Sequence, residues 1–157
     1  GVGPQALPVN RTAAAAGVLG TAAAPDWTLT VINGGKRETF TRAQLLALPQ
    51  HDEVLPIACV EGWSQHAAWR GPRIRDLLDT VDAPADATVR ITSLQTRGGF
   101  AVTTMPAEFA RDPLTLIALE VNGATLDIDH GFPARVIAPA RPGVMQTKWL
   151  STIEVIA

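Results

Sequence analysis

The apolar residues of this 157-residue chain fall in short runs, several of which end at glycine, proline or an Asn-Gly pair. Runs of this length suit β-strands, and all are too short to span a membrane as a helix. Turns at Asn33-Gly34 and Gly98-Gly99 favour two hairpins. The pattern predicts a strand-rich fold, with strands over 27–32, 37–40, 53–58, 89–94, 100–105, 115–121, 135–138 and 153–156.

Two helices are indicated, and both are short. Thr41–Gln44 has the spacing of a capping box, and leucines supply an apolar face before Pro49 ends the helix. A second short helix is predicted over Pro72–Leu78, with proline at a tolerated early position. Strands do not alternate regularly with helices and no repeat is visible, so we expect an α+β fold with mixed β-sheets and short helices.

The chain is expected to form one domain with an N-terminal extension. Residues 1–26 are rich in Ala, Gly and Pro without sustained periodicity, which suits an extended arm or a linker. Residues 27–157 would form the domain, since a chain of 16.6 kDa can bury its own core. The chain begins with Gly1 and not Met, so we expect a piece of a longer protein, whose targeting or anchoring parts would supply any membrane contact.

The charge balance limits the partners. A formal net charge of −2 gives no reason to expect nucleic acid or an anionic membrane surface as a partner. Most of the basic residues are arginines, whose planar guanidinium suits phosphate and oxyanion binding, although a GC-rich genome would also enrich arginine.

Cys59 is the only cysteine, and it follows an apolar strand at the start of a glycine-containing turn. A single thiol can form neither an internal disulfide nor a cysteine-rich metal site. Three roles remain for it: a buried inert thiol, a catalytic nucleophile, or one thiolate ligand to a metal that another group mostly holds. A nucleophilic thiol would need a histidine base, and only His66 is near in sequence.

Four motifs occur together in a specific order: Cys59–Ser64 and Trp69–Pro72, then His130–Pro139 and Gly143–Leu150. This combination resembles the molybdopterin-binding domain of the sulfite oxidase family, in particular the bacterial branch with the catalytic subunit of periplasmic protein-methionine-sulfoxide reductase. The resemblance runs from about Leu7 to the C-terminus. It implies the family's mixed α+β fold, a molybdopterin cofactor with molybdenum, and oxidoreductase activity.

The resemblance also implies roles for six residues. Cys59 matches the family's catalytic thiolate ligand to molybdenum, which explains how one cysteine suffices when the pterin supplies the other sulfurs. His130, Arg135 and Lys148 match residues that bind the cofactor, whose phosphate requires cationic donors. Asn10 and Arg11 match a segment that contacts the pterin, although this short motif would also fit a disordered terminus. Taken singly, His130 would also suit a turn, Arg135 an exposed charge and Lys148 a strand edge.

The sequence departs from the sulfite oxidases proper. It contains no tyrosine, and the first arginine after Cys59 is Arg70, so the groups that hold sulfite in those enzymes are missing. We therefore expect two-electron oxygen-atom transfer in the reductive direction, on a small-molecule or protein sulfoxide or an N-oxide. Sulfite oxidation, a non-catalytic module that retains the fold, and a thiol-redox protein acting through Cys59 are the alternatives.

Nothing in the chain matches a haem, flavin or nicotinamide site. A redox partner outside this chain, haem-containing or quinone-linked, is therefore expected to exchange electrons with it. The resemblance to the periplasmic branch also predicts an extracytoplasmic location, in the periplasm or on the outer face of the cell membrane, as a soluble domain of a membrane-anchored protein.

Overall fold

The structure, a computed structural model, describes residues 3–58, 64–141 and 145–156. Within them lie eleven strands: β1 Thr28–Asn33, β2 Lys36–Thr41, β3 His51–Ala58, β4 Ser64–Gly71, β5 Val89–Ser93, β6 Val102–Met105, β7 Leu116–Ala118, β8 Glu120–Val121, β9 Ala124–Thr125, β10 Arg135–Ile137 and β11 Leu150–Val155. The helices are α1 Ala13–Ala16, α2 Leu19–Ala22, α3 Arg42–Ala47, α4 Ile74–Asp79 and α5 Ala107–Ala110, with 3₁₀ turns at Pro4–Ala6 and Ile128–His130. The predicted α+β class with mixed sheets and short helices is confirmed.

The largest sheet has five strands in the order β2-β1-β11-β5-β6. Strands β1 and β11 are parallel and the other neighbours are antiparallel, so the sheet is mixed. Both predicted hairpins are present, β1–β2 with Asn33 opposite Lys36 and β5–β6 with Val89 opposite Met105. The sheet therefore brings the first strand of the chain beside the last.

Two smaller sheets, β3-β4-β8-β9 and β10-β7, complete the fold. The single strand predicted over 115–121 is divided at Leu119, because β7 pairs with β10 while β8 pairs with β4. Strand β4 was not predicted from the sequence, since its Ala67 and Ala68 are poor strand formers. It is held by its register with β3, in which Glu53 lies opposite Trp69.

The short helices begin where local chemistry allows. Thr41 caps α3 by accepting from the Gln44 N–H, and the Gln44 side chain accepts from the Thr41 N–H, so the predicted capping box is confirmed. Helix α4 begins at Ile74, two residues later than predicted, because the Pro72 carbonyl accepts the Ile117 N–H at 2.8 Å. No helix among the described residues is long and apolar enough to cross a membrane.

Among the described residues, the core consists of three apolar clusters. The largest packs helices α3 and α4 against the five-stranded sheet. The second surrounds Trp69 and includes Leu7, and the third packs Ala13, Ala16 and Trp149 together. Residues from the N-terminal extension thus lie in two clusters. A domain boundary at residue 26 stays a prediction.

Candidate functional site

Backbone pairing next to β10 brings Arg135 and Lys148 together. Val136 donates its N–H to the Thr147 carbonyl at 2.9 Å, and Leu150 donates to the Ala134 carbonyl at 3.1 Å. The segment entering β10 and the segment entering β11 therefore run side by side. The two cations, thirteen positions apart in sequence, project from adjacent stretches of backbone.

Gly131 lets these two side chains approach the turn that precedes β10. It ends the 3₁₀ turn at Ile128–His130 with φ of 112°, a conformation that favours glycine. A Cβ at this position would lie 2.9 Å from Arg135 Cβ and 3.2 Å from Lys148 Cβ. A side chain here would therefore push both cations away.

The N-terminal arm, residues 4–17, lies against the same cations. Lys148 Nζ donates to the Arg11 carbonyl at 2.7 Å and to the Asp129 carbonyl at 2.8 Å. Arg11 Nη1 donates to the Gly99 carbonyl at 2.8 Å, which joins the arm to the β5–β6 loop. His130 is 2% exposed, and its Nε2 donates to the Pro4 carbonyl at 2.6 Å. The arm therefore supplies two of these acceptors, the carbonyls of Pro4 and Arg11, and a third cation, the Arg11 guanidinium.

Four of the six residues selected from the sequence thus meet in one place: Arg11, His130, Arg135 and Lys148. We call them the cation cluster, after its three cations Arg11, Arg135 and Lys148; His130 belongs to it as a hydrogen-bond donor. Asn10 precedes Arg11 at an exposed position of the arm. Cys59, Trp63 and Gly143 lie outside the described residues. The roles assigned to all these residues stay predictions.

In the part of the chain that the structure describes, no carboxylate lies within ion-pair distance of the cation cluster. The two acids of the neighbouring 3₁₀ turn accept from backbone N–H groups. Asp129 Oδ1 accepts the Ala13 N–H at 2.8 Å, and Asp127 Oδ1 accepts the Asp129 N–H at 2.8 Å. Described ion pairs lie elsewhere, as between Arg111 and Asp79. The cluster therefore concentrates positive charge that these side chains do not neutralise.

Burial lowers the pKa values of three residues of the cluster. Desolvation lowers the pKa of Arg135 to about 10. Desolvation, together with the charges of Arg135 and Arg11, lowers the pKa of Lys148 to about 7, although Asp129 acts in the opposite direction. Desolvation also lowers the pKa of His130, so this imidazole is neutral at pH 7 and acts as a hydrogen-bond donor. An anion placed among these groups would restore the charged form of Lys148.

Two contributors were not selected from the sequence. One is Asp129, whose carboxylate accepts the Ala13 N–H of the arm and whose carbonyl accepts from Lys148 Nζ. The Arg135 guanidinium stacks on Trp69, with Cζ 4.7 Å from a ring centroid. Both depend on contacts between distant segments, and the alternation of buried residues along β4 would have indicated only that Trp69 faces inward.

Comparison with known proteins places this chain in a family. A model of the oxidoreductase molybdopterin binding domain matches residues 16–157. Mitochondrial sulfite oxidase of Drosophila melanogaster is 30% identical over 155 residues, covering 83% of this chain and 27% of that protein. A putative protein-methionine-sulfoxide reductase subunit of Azospira oryzae is 30% identical over 117 residues, covering 74% of this chain and 44% of that protein.

A solved structure shows the same fold. The sulfane dehydrogenase SoxCD from Paracoccus pantotrophus superposes with a TM-score of 0.73 at 22% identity, covering 83% of this chain and 38% of that one. The chain thus spans between about a quarter and less than half of the proteins that it matches. It belongs to the oxidoreductase molybdopterin binding domain family. The predictions of an oxidoreductase domain with a molybdopterin cofactor are confirmed at the level of this family.

The cation cluster fits one part of such a cofactor. Molybdopterin carries a phosphate, and the cluster presents an arginine and a lysine without carboxylate partners in the described chain, next to a turn that lacks a side chain at Gly131. Guanidinium and ammonium groups are the preferred donors to phosphate in proteins. The residues therefore match the phosphate in charge and in donor type.

The lowered pKa of Lys148 predicts a pH dependence of cofactor retention. Bound phosphate favours the charged ammonium form of Lys148. Above about pH 7 the free site has lost this proton, so Lys148 must take up a proton when phosphate binds. We expect molybdenum retention after dialysis to fall between pH 7 and 9, by up to about tenfold per pH unit. Lys148→Arg, which keeps its charge throughout this range, is the control and should flatten the profile. An equally steep loss in Lys148→Arg would exclude Lys148 as the titrating group.

Proposed function

We propose that this domain binds molybdopterin phosphate through Arg135, Lys148 and Arg11, with Cys59 as the protein ligand to molybdenum. We further propose that it reduces a sulfoxide or N-oxide by two-electron oxygen-atom transfer. The observation that carries the proposal is the cation cluster, which brings together residues from both ends of the chain. The family supplies the cofactor class.

Each residue of the cluster has a distinct task in this proposal. Arg135 can hold two phosphate oxygens at once through the planar edge of its guanidinium. Lys148 adds a point charge and, through the Arg11 carbonyl, holds the arm beside the phosphate. His130 is neutral and bonds Pro4, so it fixes the start of the arm. Bound molybdenum would supply the two-electron redox chemistry, which none of these side chains can perform.

The surroundings of the strand after Cys59 favour a substrate without two negative charges. Arg70 Nη1 donates to Asp52 Oδ2 at 2.7 Å on the exposed side of β4, so its charge is already paired. His66 is exposed on the same strand. Burying an anion without a partner costs several kcal/mol, about 3–5 when one partner of a buried pair is missing. A neutral sulfoxide avoids this cost, which is why we place sulfite second.

Sulfite oxidation is the second candidate, because one of the relatives with 30% identity is a sulfite oxidase. The two reactions run in opposite directions, so one preparation can distinguish them. A non-catalytic module would fit the fold but does not explain a cation cluster that has no carboxylate partner among the described residues.

Molybdenum analysis of protein from a host that makes molybdopterin tests the cofactor proposal. We expect about one molybdenum per chain, since one cluster and one cysteine provide one site. Reduction of methionine sulfoxide or an N-oxide with a reduced dye as electron donor should exceed sulfite oxidation with an oxidised dye as electron acceptor. Efficient sulfite oxidation would reverse the substrate assignment only. A folded protein without molybdenum would contradict the cofactor assignment for this chain.

The partners and location follow from the same proposal. A two-electron reductase needs an electron donor, and we propose a haem-containing or quinone-linked protein or segment outside this chain. We also propose an extracytoplasmic location, supported by the resemblance to the bacterial reductase branch. Labelling of exposed residues in intact cells with a reagent that does not cross the inner membrane would test it.

A further inference from the structure

The hydrogen bonds of Arg135 leave the plane of its guanidinium weakly fixed. Nε and Nη1 donate to the carbonyls of Val136 and His130 at 3.3 Å each, and Nη2 donates to the Gln146 carbonyl at 3.4 Å. All three distances are longer than the usual N–H···O range of about 2.7–3.2 Å. Another contact must therefore orient the group.

That contact is the face of Trp69. Arg135 Cζ lies 4.7 Å from a centroid of its ring system, and Trp69 is 0% exposed within the second core cluster. Stacking uses the face of a guanidinium, so two of its five N–H groups, one on Nη1 and one on Nη2, stay available to a ligand beside the three backbone bonds. The Trp69 Nε1–H has no acceptor in the described part of the chain. The ring is therefore held there by packing and not by a hydrogen bond of its own.

The neighbouring cation differs in this respect. Lys148 Nζ lies 4.5 Å from a Trp149 ring centroid, but it also makes two hydrogen bonds of 2.7 and 2.8 Å. The Trp149 indole is fixed independently by donating to the Ile128 carbonyl at 2.7 Å. Lys148 therefore does not depend on its tryptophan for orientation, whereas Arg135 does.

We propose that Trp69 is a positioning residue of the cofactor site, which holds the Arg135 guanidinium with its edge towards the cofactor phosphate. This inference rests on the proposed function, because it takes Arg135 as a phosphate donor. It adds a residue that sequence patterns alone would assign to the core. The role is carried by the aromatic face, so phenylalanine should partly preserve it and leucine should not.

A double-mutant cycle on cofactor retention tests the proposal. In holoprotein from a molybdopterin-producing host, Trp69→Leu should speed molybdenum loss roughly three- to thirtyfold, the range of a cation–π contact. Trp69→Phe should lose molybdenum more slowly than Trp69→Leu. In an Arg135→Ala background, Trp69→Leu should add almost nothing, because no guanidinium remains to be oriented. Trp149→Phe is the matched control, and its effect on retention should be the same with or without Arg135.

The outcomes distinguish an error in the role of Trp69 from an error in the proposed contact between Arg135 and the phosphate. If Arg135→Ala weakens retention but Trp69→Leu adds its full effect on top, Trp69 acts only through packing and this inference is wrong. If Arg135→Ala leaves retention unchanged, the proposed phosphate contact is wrong, and the role of Trp69 with it.

An NMR measurement covers the case in which Trp69→Leu fails to fold. The Arg135 Nε–H resonance should show a ring-current shift that persists in Trp69→Tyr and Trp69→Phe. An Arg135 resonance without such a shift in the parent protein would overturn the stacking assignment.

Discussion

Replacing Cys59 with serine should abolish molybdenum-dependent turnover. A thiolate is a soft, charge-donating ligand suited to a metal that changes by two electrons, and a hydroxyl of similar size cannot supply the same electron density. The expected loss is at least about a thousandfold, comparable to removal of a residue essential to the chemistry. Turnover with a dye donor, expressed per bound molybdenum, is the measurement.

The fold should survive this substitution, because serine is nearly isosteric with cysteine. Thermal unfolding and molybdenum content of Cys59→Ser, measured beside the parent protein, therefore serve as the controls. A serine variant that retains most of its activity per molybdenum would rule out Cys59 as the metal ligand. Activity of the parent protein without molybdenum would instead support a thiol-redox role.

Arg135→Ala and Lys148→Ala should each reduce cofactor retention about ten- to a hundredfold. A hydrogen bond to a charged group contributes about 1.5–3 kcal/mol, which corresponds to this range. Both cations lie in a partly buried cluster without carboxylate partners in the described chain, so solvent does little to screen their attraction for an anion. Molybdenum per chain after dialysis would report the effect, and activity per bound molybdenum should change less.

Arg90→Ala provides a matched control. Arg90 pairs with Glu154 at 3.6 Å on an exposed part of the five-stranded sheet, so its removal deletes an arginine without touching the cluster. We expect unchanged retention in this variant. A drop equal to that of Arg135→Ala would mean that net charge alone governs retention. Full retention in both Arg135→Ala and Lys148→Ala would exclude the cation cluster as the phosphate site.

Features set by neighbouring residues were predictable from the sequence. The capping box at Thr41 and Gln44 and the Asn33-Gly34 turn depend on contacts within a few positions, and both are present. Strand β4 and the division of 115–121 at Leu119 depend on which strands pair across the molecule. Local propensity carries little information about such pairing, which explains these two misses.

The same distinction applies to the candidate site. Its cations were selected from motifs, but their meeting depends on backbone bonds between the segments at 134–136 and 147–150. The stacking of Arg135 on Trp69 joins β10 to a strand of another sheet, and no periodicity within either strand reveals it. The arm was expected to be extended or a linker, yet its short helix α1 places Ala13 and Ala16 beside Trp149.

The contact between Lys148 and the Arg11 carbonyl joins residues 137 positions apart. During synthesis on the ribosome, Arg11 emerges long before Lys148. The cluster cannot close around a ligand until residue 148 has left the exit tunnel and the sheet has brought β1 beside β11. A nascent chain therefore lacks the complete cluster until residue 148 and strand β11 have emerged and paired.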